Sequence, residues 1–173
     1  MKDKLQELLL SQNEGVLTIT LNRPEARNAL TFEMYKNLES ICKKAGTVND
    51  QQGIRVIIIT GAGDKAFAAG TDIGQFTEFK SIDNGRDYEA EIERVITSIE
   101  TCQVPVIAAL HGAVTGGGLV IAAAAHMRLK QAKSGFHVPS LRDVVENEWP
   151  APARTLKQRI PHQCDGLTLL GTD

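Results

Sequence analysis

The chemistry-bearing residues of this chain are mostly ones without functional side chains. Gly112-Ala-Val-Thr-Gly-Gly-Gly118 follows an apolar run, Val104 to Leu110, and leads into an alanine-rich segment, Leu119 to Ala125. Three glycines at a helix entrance leave backbone N–H groups open to close approach, and the helix dipole adds positive potential there. Such a place can hold a phosphate, a carboxylate or a developing oxyanion. The plainer reading is that the glycines let a buried helix pack tightly on its neighbours. A second small-residue stretch, Gly61-Ala-Gly-Asp-Lys-Ala-Phe-Ala-Ala-Gly-Thr-Asp-Ile73, also comes after a strand-like run. Its first six residues fit G-x-G-x-x-A, a dinucleotide-binding pattern. The residues beyond those six include Gly70 and are not amphipathic, so no helix is expected to open where a pyrophosphate would need one. The stretch reads instead as a long loop that lets a ligand lie against exposed backbone. The turns at 68–71 and 116–118 could bring two N–H groups onto one oxygen.

Other candidates carry less. His111 beside Gly112 reads as support for a turn, and His126 as the surface end of the alanine helix. His162 and Cys164 lack the second ligand pair that a metal site requires. Three cysteines, Cys42, Cys102 and Cys164, are odd in number and far apart. They point to neither a disulfide framework nor a CxxC metal site, and hence to a reducing compartment. No metal or cofactor is expected.

The elements that position these turns alternate in type. Leu8 to Gln12 and Val16 to Leu21 read as strands joined by a hairpin turn at Asn13-Glu14-Gly15. Asn22-Arg23-Pro24-Glu25 breaks that pattern. Thr31 is a suitable N-cap for a helix with Tyr35, Leu38, Ile41, Cys42 and Ala45 on one stripe, stopped by Gly46. Arg55 to Thr60 contains four consecutive β-branched residues and reads as a strand covered on both faces. A second helix runs from about Arg86 to Cys102, with Tyr88, Ile92, Val95, Ile96 and Ile99 on its apolar side. Val104 to Leu110 is a further strand, and Met127 to Lys130 a short one. This order predicts an α/β fold with a largely parallel sheet.

The 173 residues suit one core, and 42% apolar with 23% charged residues is ordinary for a globular chain. A net charge of −2 gives no reason to expect nucleic acid or an anionic membrane as partner. The first residues read as too short and too acidic for a signal peptide, and no apolar run reaches membrane-spanning length. A cytoplasmic protein is expected.

Three segments taken together resemble the crotonase (enoyl-CoA hydratase/isomerase) superfamily. They are Asn22-Arg-Pro-Glu-Ala-Arg-Asn-Ala-Leu30, Lys65-Ala-Phe-Ala-Ala-Gly-Thr-Asp-Ile73 and Gly112-Ala-Val-Thr-Gly-Gly-Gly118, in the family's order and at compatible separations. The likeness covers roughly residues 8 to 135. It implies a crotonase-like spiral of ββα turns, with residues 1–135 an acyl-CoA-binding core and 136–173 a divergent or truncated tail. It also implies a homo-oligomer, usually a trimer, and an acyl-CoA thioester as ligand, so that coenzyme A enters with the substrate. Carried over by position, the N–H groups of Thr71 and Gly117 would form an oxyanion hole that stabilises a thioester enolate. Loss of one such donor typically costs about 10²–10³ in rate. Arg27, Ala29, Lys65, Ala69, Asp72 and Gly116 would lie along the bound CoA thioester.

The departures bear on the reaction. A hydratase of the family works with two glutamates; the first lies two residues past the glycine triplet, where this chain has Val120. The second belongs after a Phe-Gly-x-Pro-like segment, and Ser134-Gly-Phe-His-Val138 offers no carboxylate there. Asp72, Glu78 and His137 are the local substitutes for proton transfer, with Asp72 read as structural. After about Gly135 the likeness ends, and Trp149-Pro-Ala-Pro-Ala-Arg154 and Ile160-Pro-His-Gln-Cys-Asp-Gly166 are proline-punctuated. A reading-frame change, a divergent tail or a fragment of a longer protein would each give this pattern. The expected function is an acyl-CoA enzyme of the hydratase/isomerase type, a lyase or isomerase. The rival is a non-catalytic acyl-CoA binder that has lost its acids.

Overall fold

A computed structural model describes residues 7–78 and 82–130. The chain divides into two units, Met1–Gln131 and Ala132–Asp173, and every described element lies in the first. His137, the proline-rich tail and the domain boundary expected at 135 lie outside the described residues.

The first strands are β1 (Leu8–Asn13) and β2 (Val16–Leu21), an antiparallel pair in which Asn13 faces Val16. Glu14 and Gly15 both take positive φ (47° and 83°), as a two-residue primed hairpin turn requires. Helix α1 spans Phe32–Lys44. Thr31 caps it by accepting from the Met34 N–H at 3.2 Å, and Glu33 lies in its first turn. Strand β3 (Val56–Gly61), helix α2 (Ile82–Glu100), strand β5 (Val106–Leu110), helix α3 (Gly117–Ala124) and strand β7 (Met127–Lys130) come next, with short strands β4 (Ala66–Ala69) and β6 (Ala113–Thr115) between.

The main sheet has the order β1-β2-β3-β5-β7, and every pair after the first is parallel. The α/β fold with a largely parallel sheet is therefore present. Ile19, Leu21, Ile57, Ile59, Val106 and Ala108 point into one buried face, under Leu38, Val95 and Ile99 of the helices. β3 differs from expectation: Ile57 and Ile59 are buried while Val56, Ile58 and Thr60 stay partly exposed. A β-branched run fixes strand character but does not say how much lies on the second face.

The stretch after β3 also departs from the long loop that its sequence suggests. β4 forms within it and pairs in parallel with β6, Ala69 opposite Thr115. A four-residue strand of Ala and Phe has too little pattern to read alone, and its partner stands more than forty residues away. α2 begins at Ile82, a turn earlier than its apolar stripe indicates, and β5 begins after Pro105 rather than at Val104.

Asn28 holds this core together. It is fully buried in the left-handed region (φ 56°), with its side-chain oxygen accepting from Arg23 N–H at 3.0 Å. Its amide donates to the carbonyls of Ala62 (2.9 Å) and Ala66 (2.7 Å), tying the loop before α1 to both ends of the 61–66 turn. At the far end of α3, Arg128 donates to the carbonyls of Ala122, Ala123 and Ala125, which a helix C-terminus leaves unpaired.

Candidate functional site

The two small-residue turns meet. Leu30 forms a parallel bridge with Thr71, its N–H donating to Gly70 O (2.8 Å) and its carbonyl accepting from Asp72 N–H (2.9 Å). Alternation along an extended chain then directs the N–H of Thr71 to the opposite side from Leu30. Gly117 opens α3, where N–H groups have no partner within the helix. A Cβ placed on Gly117 would stand 2.9 Å from Thr71 Oγ1, and one on Gly116 would stand 3.2 Å from Gly70 Cα. The glycines are thus what lets α3 start against the 70–71 turn. Gly118 completes the fit, since a Cβ there would lie 2.3 Å from the Ala68 carbonyl oxygen.

Thr71 is fixed twice over. Its hydroxyl lies between two tyrosines, 2.8 Å from Tyr35 Oη and 2.9 Å from Tyr88 Oη. Burial raises the pKa of both phenols above the ordinary value, so both remain protonated at neutral pH. Tyr88 also packs against Phe32 and Phe76, at ring-centroid distances of 5.5 and 4.8 Å. Sequence pattern placed both tyrosines only as members of apolar helix stripes. The signal for more was available: a phenol on a buried stripe needs a partner for its O–H.

Asp72 is engaged on both oxygens. Oδ2 pairs with the Arg23 guanidinium at 2.7 Å and Oδ1 accepts from Gly74 N–H at 3.0 Å. The hydrogen bond from Arg23 is the main reason its carboxyl lies below the ordinary range. Arg23 also donates to Ala29 O at 2.7 Å, so Asp72 serves the shape of the 27–30 and 72–74 turns. Glu78 ends the short 3₁₀ helix Ile73–Glu78.

Of the remaining positions, Arg27, Ala29 and Ala69 come together beside Thr71. Ala69 N–H donates to Arg27 O at 3.0 Å, and the Arg27 side chain is exposed. Lys65 is exposed at the start of β4, where its carbonyl accepts from Ala113 N–H instead. Val120 is buried in α3, one turn past Gly117, with no titratable atom to offer. Glu91 went unnoticed in the sequence. One of its carboxylate oxygens is buried without a hydrogen-bond partner, and its charge acts on Tyr35 and Tyr88. His111 likewise has a buried, unpartnered Nε2 and its carbonyl accepts from Phe67 N–H. It borders a cleft of about 570 Å³ at the carboxyl ends of β3, β5 and β7. His126 is exposed at the end of α3, its Nδ1 accepting from Val106 N–H at 2.9 Å. Among the described residues, no group of three or more His, Cys, Asp or Glu could hold a metal ion. No helix among them is long and apolar enough to cross a membrane.

Parallel strands with two convergent glycine turns define an α/β protein of the crotonase type. The sequence model for enoyl-CoA hydratase/isomerase matches residues 11–145, and the chain belongs to that family, within the crotonase superfamily. The chain is 32% identical over 138 residues to the short-chain-enoyl-CoA hydratase of Clostridium acetobutylicum, covering 80% of this chain and 51% of that one. It is 33% identical over 139 residues to the mitochondrial 3-hydroxyisobutyryl-CoA hydrolase of Gallus gallus, covering 79% and 35%. The solved structure of an enoyl-CoA hydratase/carnithine racemase from Magnetospirillum magneticum superposes with a TM-score of 0.73 at 30% identity, over 95% of this chain and 60% of that one. The chain thus spans less than two thirds of each of these relatives.

Proposed function

We propose that this chain binds acyl-CoA thioesters and, as an enzyme of the hydratase/isomerase type, stabilises a thioester enolate between the N–H groups of Thr71 and Gly117. The observation that carries the reading is the convergence of the two turns, with Thr71 held by Leu30, Tyr35 and Tyr88. Two donors aimed at one oxygen favour the enolate over the ground-state carbonyl, because charge on that oxygen grows as the α-proton leaves. Tyr35 and Tyr88 keep the Thr71 turn from moving as that charge develops. Arg27, Ala29, Ala69 and Gly116 lie along the thioester and CoA, while Asp72 shapes the turn through Arg23. A homotrimer, as the resemblance implies, is part of the same reading.

A second reading is a binder without turnover. Val120 favours it, and so does the full engagement of Asp72. A calorimetric titration of the full chain with crotonyl-CoA separates the two: continuing heat identifies an enzyme, while saturable heat that stops identifies a binder. Absence of any binding heat would overturn both. The donor itself is tested with Gly117→Pro, since proline is tolerated at the first position of a helix but has no N–H. A side chain at 117 would meet Tyr35 Oη at 2.0 Å, so the substitution is made together with Tyr35→Phe. The acyl contribution to binding, measured against free CoA, should fall at least about tenfold relative to Tyr35→Phe alone. Unchanged binding and turnover would remove Gly117 from the site.

A further inference from the structure

Glu91 is an acid on a largely apolar stripe. It follows Tyr88 by three residues and precedes Val95 by four, so all three share one face of α2. Asp87, Glu89 and Glu93 of the same helix are exposed. Val95 is buried, and Glu91 Oε1 is buried with no hydrogen-bond partner. A buried carboxyl oxygen left unpaired is costly, and such a group calls for an explanation beyond folding.

The packing of α2 on α3 gives that oxygen its surroundings. The two helices lie side by side and run in the same direction, tied near both ends. Toward the N-terminal ends, Thr71 Oγ1 lies 2.9 Å from Tyr88 Oη, and a Cβ on Gly117 would stand 2.9 Å from the same Oγ1. At the other ends, His126, just past α3, has its Nε2 3.2 Å from the carbonyl of Glu100, the last residue of α2. Glu91 is three residues past Tyr88 and Val120 three past Gly117, about 4.5 Å along each axis. The two positions therefore stand at one level, a turn below the Thr71–Gly117 contact. Side chains on a helix lean toward its N-terminus, so Glu91 reaches back toward that contact. After burial itself, its charge helps to raise the phenols of Tyr35 and Tyr88, both of which bond to Thr71. α3 offers only Val120 at this level, and Asp72 is engaged on both oxygens.

We infer that Glu91 is the acid–base group of the proposed site and takes a proton from the α-carbon of the bound thioester. The inference rests on the acyl-CoA reading above. With the thioester oxygen between the two N–H groups, the α-carbon is two bonds from that oxygen, within reach of a carboxylate one turn below. The Cα–H bond breaks and a carboxyl O–H bond forms. The electron pair moves into the bond between the α-carbon and the carbonyl carbon, and the oxygen takes the charge. Return of a proton from the carboxyl group to the α-carbon reverses each change. Glu91 is partly exposed, so its proton exchanges with water in between. The step needs no second acid.

The test follows the α-methylene signal of butyryl-CoA, a saturated thioester, by proton NMR with the full chain in heavy water, while calorimetry gives binding. The parent should bind the thioester and exchange its α-hydrogens for deuterium. Glu91→Gln, nearly the same size, should bind with unchanged affinity and keep or raise its urea midpoint, while exchange at saturation falls about 10²-fold or more. Glu91→Asp, a carboxyl group one methylene shorter, should recover part of the loss, and Glu91→Ala should not. A merely structural Glu91 would instead move affinity or midpoint together with the rate. The inference is overturned if the parent binds without exchanging, or if Glu91→Gln exchanges at the parent's rate. It is equally overturned if the slower exchange of Glu91→Gln is matched by a loss of affinity or stability. No binding by the parent overturns the acyl-CoA reading itself, and this inference with it.

Discussion

The Thr71–Gly117 contact and the buried side of α3 at Val120 lie one helical turn apart, yet they are made of different things. The first, in the function proposed above, is a backbone device. Its parts are N–H groups, and what the sequence must supply is small residues and a rigid surround: Gly116 to Gly118, the Leu30 bridge and two phenols. The second is where the superfamily resemblance calls for a carboxylate, and a side-chain device can vanish with one substitution. A backbone device cannot, because every residue but proline has an N–H and only bulk or proline removes the geometry. Loss of acid–base chemistry and retention of a binding cradle are therefore physically separable, and the two readings proposed for this chain differ in that respect.

The hardest way to break the contrast is to close the gap that the glycines keep open. Gly118→Ala places a methyl group 2.3 Å from the Ala68 carbonyl, which is backbone and cannot swing aside. A destabilisation of about 3 kcal/mol is expected from overpacking, read as a fall in the urea midpoint; an unchanged midpoint would mean that the turns are not in contact. Next comes Val120→Glu, which offers a carboxyl group one turn past Gly117. If the cradle is competent, crotonyl-CoA hydration should rise by about 10², with some loss of stability from burying a carboxyl group. No gain, in a variant that still binds the thioester, would place the acid–base group elsewhere, and Glu91→Gln is then the variant to assay.

Tyr35→Phe is a smaller perturbation. It removes one of two hydroxyl partners from Thr71 and should cost about 1 kcal/mol in stability, with a several-fold weaker acyl-CoA affinity. Stability lost without any change in affinity would separate Thr71 positioning from binding. The smallest effect concerns Asp72 and pH. Its folded-state value is depressed, chiefly by Arg23, so its contribution is present above the unfolded value of about 3.9 and is lost as pH falls through the folded value. Asp72→Asn should flatten the stability profile below about pH 4 and leave the profile near pH 7 parallel to that of the parent. An acid limb of unchanged slope would show that Arg23 gains nothing from this partner.

Much of the fold was legible in residue patterns. The hairpin at Asn13 to Gly15, the Thr31 cap, the β-branched strand at 56–59 and the buried helix after the glycines are all local, and each element formed where its pattern lies. The places that were not legible share one cause. β4 and β6 are too short to carry a period, and they exist because each supplies the other's hydrogen bonds. Asn28 reads as an ordinary turn residue, although its three side-chain bonds reach from residue 23 to residue 66. Tyr35 and Tyr88 read as apolar stripe members because sequence spacing reports which face a residue occupies, and not what its hydroxyl meets.

The sequence by itself determined the family, through its resemblance in three motifs, the order of the longer strands and helices, and the two small-residue turns. The elements and turns rest on composition and spacing, which act over a few residues. Tertiary structure alone decided that Thr71 is gripped by two phenols, that Asp72 is spent on Arg23, and that an unpartnered Glu91 oxygen stands near that network. Each is a meeting of side chains from separate elements. Which of them meet is fixed by how helices settle on a sheet, and local pattern carries no record of that.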